Sequence, residues 1–195
     1  MLYKPWPVVG IAHTYIHATI ELMNENRINA SDIEEIRVWI GTFQQQMCYP
    51  LEQRRAPETA VDAKFSLPFC VALAASRGSV GISDFVTASM KDPSVLAMAK
   101  RVLPVEDDSF DWHTKSPVGR VAIHTRDGRV YDRIGDKVPG SPEAPLSWNG
   151  IAKKFRDCAA VASKPVSADN IARAQEMARN LESFEDATQL LRILT

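Results

Sequence analysis

The chain has 195 residues, 45% of them hydrophobic, with 23 basic against 24 acidic side chains and a formal net charge of −1. That is enough apolar material for one sizeable core, and the near balance of charge gives no support to nucleic acid or an anionic membrane as a partner. No apolar run reaches the ~18–20 residues of a membrane span, and residues 1–10 lack the cationic start and apolar core of a signal peptide.

Lys4-Pro5-Trp6-Pro7 opens the chain as a stiff, non-helical lead-in, because each proline fixes its own φ and pushes the residue before it into extended conformations. Over residues 11–24 the pattern is helical, with Ile16, Ile20 and Met23 on one face and Ala12 close to it. His13 and His17 are four apart and stack on one side of that helix. After a polar exit, residues 35–43 read as a strand. Ile36, Val38 and Ile40 alternate there with Glu35, Arg37 and Trp39, which predicts one buried and one wet face. Residues 47–57 show no clear period, so Arg54-Arg55 is expected in an exposed loop.

Thr59 and Asp62 suit the cap of a short helix. Ser66 as N-cap and Pro68 in the first turn then start a helix through Ala75, and Gly78 ends it. Phe69, Val71, Ala72, Leu73, Ala74 and Ala75 make this helix apolar nearly all round, so it is expected to be buried on most sides. Cys70 inside the run reads as a small core residue rather than a nucleophile.

Two short helices follow over 83–88 and 93–100, the second capped by Asp92 with Pro93 at its first position. Residues 102–105 fit an edge strand, since Pro104 has no donor for a ladder. Residues 118–134 are the clearest hairpin: Val121 and Ile123 precede Asp127-Gly128, and Val130 and Tyr131 follow it. His124 is expected as an exposed strand residue. Residues 136–145 are a Gly/Pro-rich loop. Ser147 caps a helix over 148–160, and Ser167 another over 168–182 with Ile171, Ala174, Ala178 and Leu181 on one face. An amphipathic segment covers 185–193. Without an internal repeat or an obvious linker, residues 1–195 read as a single α+β domain: a small antiparallel or mixed sheet with helices packed on one face.

The chemistry legible in the residues is modest. Three widely spaced cysteines, Cys48, Cys70 and Cys158, speak against a disulfide framework and for a reducing cytoplasm. No Cys or His spacing fits a zinc site; Thr14 follows His13 where a zincin helix has glutamate. There is no Gly-rich phosphate loop, Walker motif or G-x-S-x-G elbow. Lys4, His13 and His17 are the acid/base candidates, because a rigid loop and a helix start hold them together. Arg54 and Arg55 are candidates to clamp a carboxylate. The same residues also fit a solvated lysine, ordinary helix-surface histidines and solvated arginines.

Several segments together resemble one family. Lys4-Pro5-Trp6-Pro7 followed by His13 is similar to the opening of the MmgE/PrpD C-terminal domain. Asp32-Ile33-Glu34-Glu35-Ile36-Arg37-Val38 is similar to its first strand, and Ala63-Lys64-Phe65-Ser66-Leu67-Pro68-Phe69 to its A-x-F-S-x-P segment. Asp127-Gly128-Arg129, Gly140-Ser141-Pro142, Pro145-Leu146-Ser147 and Lys154-Phe155 follow in the family's order. The resemblance implies a cofactor-free, metal-free cytoplasmic enzyme that moves protons next to a carboxylate, as in 2-methylcitrate dehydratase, cis-aconitate decarboxylase and iminodisuccinate epimerase. It also implies a homodimer, and an all-helical N-terminal domain or separate subunit that completes the site. The chain matches only the family's smaller, lid-like α+β domain.

By the same resemblance Lys4 is an active-site residue that holds a substrate carboxylate or stabilises enolate-like charge. His13 is a second candidate. Two departures stand out. Val9 occupies the position, five residues after the lysine, where the decarboxylase branch has histidine, and His17 stands where an acidic residue is usual. The expectation is therefore a 2-methylcitrate dehydratase-like lyase acting on a small di- or tricarboxylate. The alternatives are an epimerase of the same family, or a non-catalytic remnant that binds carboxylates or dimerises.

Overall fold

The computed structural model describes residues 3–111 and 118–194. The chain divides into two compact units, Met1–Pro145 and Leu146–Thr195.

The larger unit is built on a four-stranded sheet: β1 (Ile33–Ile40), β2 (Val102–Glu106), β3 (Gly119–Thr125) and β4 (Val130–Gly135), in the order β2-β1-β3-β4. β1 pairs parallel with β2 and antiparallel with β3, and β3 pairs antiparallel with β4, so the sheet is mixed. The parallel pair needs a long crossover, which the helices between β1 and β2 supply. In register, Ile36 lies beside Val102 and Ile123, and Val38 beside Val121. All five are fully buried. The other face is wetter: Arg37 is exposed, and the Arg120 guanidinium sits 4.1 Å over the Trp39 ring while pairing with Asp132 at 3.0 Å. This is the expected period-two strand with one dry and one wet face. It ends at Ile40, earlier than expected, and at Gly41 the backbone of Phe110 and Asp111 comes so close that a side chain there would collide with it. Thr42 then turns into a helix whose first N–H is taken by the Asp111 carboxylate.

Helix α1 (Ala12–Asn26) packs across β3 and β4 and against the helix Leu67–Arg77. Being covered on two sides, it buries more than one stripe: Ala12, His13, Tyr15, Ile16, Ala18, Thr19 and Leu22. Ile20 and Met23, expected on the buried face, are only half-buried. Two of the helix's buried polar groups are hydrogen-bonded, with Tyr15 Oη donating to the Trp39 carbonyl of β1 (2.6 Å) and Thr19 Oγ1 to the Tyr15 carbonyl one turn back (2.8 Å).

The end of the expected strand instead opens a short helix, α2 (Thr42–Cys48), and the stretch over 47–57 that shows no period in the sequence holds another, α3 (Leu51–Arg55), rather than a loop. Next come α4 (Ala60–Lys64), capped by Thr59, and α5 (Leu67–Arg77). Ser66 Oγ accepts the Phe69 N–H, Pro68 sits in the first turn, and Gly78 closes the helix at φ 66°. Every residue from Leu67 to Ala75 is buried. Fully buried Phe69 and Leu73 each contribute roughly 1.5–3 kcal/mol. Two short helices, α6 (Thr87–Met90) and α7 (Pro93–Ala99), lead into β2. Arg77 ends α5 by bridging Asp84 and Asp92, and Asp92 in turn caps α7 through Ser94.

The smaller unit holds α8 (Trp148–Ala159), α9 (Ala168–Arg179) and α10 (Thr188–Arg192). Ser147 and Ser167 cap the first two as expected. Ala152 and Ala174 are buried between them, beside an apolar pocket of about 130 Å³. Among the described residues, no helix is long and apolar enough to cross a membrane.

Candidate functional site

The lead-in carrying Lys4 is fixed at several points. The Tyr3 N–H donates to the Gly140 carbonyl at 3.0 Å, and the Val9 N–H donates to the Lys64 carbonyl at 3.1 Å. The Lys4 ammonium donates to the Val8 carbonyl at 3.2 Å, which closes the two prolines into a compact loop. Trp6 lies against His13, with ring centroids 5.4 Å apart and planes tilted by 53°. Three segments far apart in the chain thus converge on one loop: residues 3–9, the Lys64-Phe65-Ser66 stretch before α5, and the Pro139-Gly140-Ser141 turn. Lys4 itself is exposed.

His13 is placed differently from an ordinary helix-surface histidine. It is fully buried, as the backing of Trp6. A ring at that depth does not meet a solute approaching from solvent; it props the loop that carries Lys4. His17, one turn on, is half-buried. Burial lowers its pKa, with Glu21 and Asp136 pulling the other way and Arg133 adding to the depression.

The two arginines go separate ways. Arg54 donates to the Gln46 carbonyl at 2.8 Å, and its own carbonyl accepts the Ser66 hydroxyl, which ties it to the start of α5. It lines a surface cleft of about 330 Å³ together with Gln53, Pro57, Glu58 and Asp62. Arg55 turns inward. Its side chain is 11% exposed, donating to Glu52 at 2.9 Å and to the Val102 carbonyl at 2.8 Å. The expected exposed double-arginine loop is therefore one arginine at a cleft and one that fastens α3 to β2. The carboxylates of Glu58 and Asp62 in the same cleft oppose an anion there, so Arg54 alone is a weak clamp.

Lys64 extends its ammonium over the Phe85 ring at 5.5 Å. Cys70 is fully buried and Cys48 is buried beside Tyr15; burial raises both thiols, Cys48 to about 12. Neither thiol is a nucleophile at neutral pH. Among the described residues no three His, Cys, Asp or Glu side chains group to hold a metal ion. Sequence reasoning missed Tyr3 and Gly140 as parts of this arrangement. The available signal was Gly140 itself, in a Pro-Gly-Ser-Pro turn.

Comparison with known proteins bears on the family. A family model described as the MmgE/PrpD C-terminal domain matches residues 6–182. The chain belongs to the MmgE/PrpD family. The mixed sheet with its helices is the α+β architecture expected of that domain. The match begins at Trp6, so Lys4 lies two residues before it. The chain is also 26% identical over 145 residues to the cis-aconitate decarboxylase of Mus musculus. That similarity covers 72% of this chain and 28% of the mouse protein, so the chain spans just over a quarter of the relative it matches.

Proposed function

We propose that this chain is the C-terminal part of a cofactor-independent MmgE/PrpD-type lyase that acts on a small di- or tricarboxylate, in the manner of a 2-methylcitrate dehydratase. The observation that carries the reading is the convergence of the Lys4 lead-in, the segment before α5 and the Gly140 turn, held by the Tyr3–Gly140 and Val9–Lys64 hydrogen bonds. A fixed ammonium on a well-held loop suits a substrate carboxylate. In the reaction, a base removes the proton α to a carboxylate and Lys4 steadies the enolate-like charge. The β-hydroxyl then leaves as water with a proton from a general acid, and a C=C bond forms. His13 is the positioning residue behind Trp6. The base and the acid come from an all-helical partner domain or subunit, and the assembly is a homodimer. Closure by that partner expels water and strengthens the field of Lys4.

A decarboxylase is the second reading, favoured by the name of the mouse relative. Against it stands Val9, which carries no transferable proton at the position where, by the resemblance, that branch has a histidine. An epimerase would share the first proton abstraction and return the proton to the opposite face.

The test is the melting temperature of the 195-residue chain with 2-methylcitrate, citrate or cis-aconitate at 10 mM. The expected result is a rise with at least one of them that Lys4→Ala abolishes. No rise with any, or a rise that survives Lys4→Ala, overturns the reading.

A further inference from the structure

We infer that Gly140 is a positioning residue for Lys4, acting through the backbone of Tyr3; the part concerning substrate rests on the reading above. Gly140 is buried and has φ 93°, a conformation that L side chains rarely adopt. Its carbonyl takes the Tyr3 N–H, and a methyl on its Cα would run into the Tyr3 carbonyl oxygen and come within 3.0 Å of the carbonyl carbon. The lead-in and the turn therefore touch from both sides: one hydrogen bond draws them together, and only a missing side chain lets them close. The turn is itself rigid. The Gly140 N–H donates to the Ala144 carbonyl at 2.7 Å, and the Ser141 N–H to the Val138 carbonyl at 3.0 Å. It is a firm abutment rather than a loose loop.

Lys4 is the next residue after Tyr3. Its backbone direction is set by Tyr3 on one side and Pro5 on the other, and its ammonium folds back on the Val8 carbonyl. Val9, at the far end, is held by Lys64. Shifting Tyr3 by the width of a methyl group swings the Lys4 ammonium while Val9 stays fixed. A displacement of about 1 Å at a charged group that must meet a carboxylate costs of the order of a hundredfold in rate.

Three glycines with positive φ allow a controlled comparison. Gly78 (φ 66°) and Gly128 (φ 84°) share the backbone strain, but a side chain at either meets nothing within 4 Å. Gly140→Ala and Gly78→Ala therefore share the conformational penalty and differ in the collision with Tyr3. In the full chain, Gly140→Ala is expected to speed solvent exchange of the Tyr3 amide by at least about tenfold, whereas Gly78→Ala leaves it unchanged. Gly140→Ala is also expected to weaken cis-aconitate binding as much as Lys4→Ala does, and the double variant to be no weaker than either single one. A merely structural role would give additive losses. Tyr3 exchange and cis-aconitate affinity in Gly140→Ala equal to those in Gly78→Ala would overturn the inference.

If Gly140→Ala does not fold, Tyr3→Pro removes the donor and leaves the turn intact. Lost affinity at an unchanged melting temperature then supports the inference, and unchanged affinity overturns it. Should Lys4→Ala bind cis-aconitate like the wild type, the proposed function fails, and the Tyr3 exchange rate still decides whether Gly140 fixes the lead-in.

Discussion

His13 is the prop of Trp6: a fully buried imidazole tilted against an indole on the neighbouring loop, 5.4 Å from centroid to centroid. It reaches the candidate site through Trp6 and not through solvent. Shape should then matter more than the ring nitrogens. His13→Phe is expected to keep carboxylate binding and lose little stability, while His13→Ala leaves a cavity, costs about 2–4 kcal/mol and shifts Trp6 emission to the red. Urea titration followed by tryptophan fluorescence checks both. Loss of binding in a folded His13→Phe protein would show that the imidazole itself, and not its shape, is needed.

Arg54 and Arg55 are adjacent in sequence and opposite in consequence. Arg55→Ala strands the Val102 carbonyl beneath α3 and is expected to cost about 1.5–3 kcal/mol in chemical denaturation. Arg54→Ala is expected to cost about 1 kcal/mol or less, since its guanidinium lies at the rim of a cleft. Equal losses would contradict this division.

Acid stability should report on Asp92. Two hydrogen bonds from Ser94, then one from Arg77, hold its carboxyl at about 2, below the usual 3.8. A depressed carboxylate stabilises the fold fully above its unfolded pKa and loses that contribution as pH falls through the folded one. The wild type should therefore lose its advantage over Asp92→Asn between about pH 4 and pH 2. Urea midpoints at half-unit intervals measure it, and a pH-independent gap between the two proteins would refute it.

Thiol labelling of the native chain should modify Cys158 first. Cys48 and Cys70 are buried, with thiols raised by burial, whereas Cys158 is half-exposed. Mass spectrometry after brief iodoacetamide treatment at pH 8 is expected to find one modified cysteine, and the other two only in denaturant.

Much of this fold was legible where local chemistry and tertiary context agree. Ser66, Pro68 and Gly78 frame α5 by capping rules alone, and the alternation around Ile36 and Val38 marks β1 because one face of the sheet is dry. The parallel pairing of β1 with β2 was not legible, because the crossover between them is a series of short helices with no common period. The burial of His13 was hidden for a related reason: α1 is covered by both the sheet and α5, so a single apolar stripe underestimates what it buries. At the candidate site, the motif makes Lys4 a candidate, and the hold of Val9 on Lys64 could not be read from it. Nor could the partner of Tyr3, since that contact is between backbones and leaves only a glycine as its trace.

The hydrogen bond from Tyr3 to Gly140 spans almost the whole of the larger unit. The lead-in is synthesised before β1, yet the seat for it exists only once the turn beyond β4 has emerged. Within this unit the lead-in is thus made early and docks late, and until then its tryptophan and prolines stay open to chaperones and proteases.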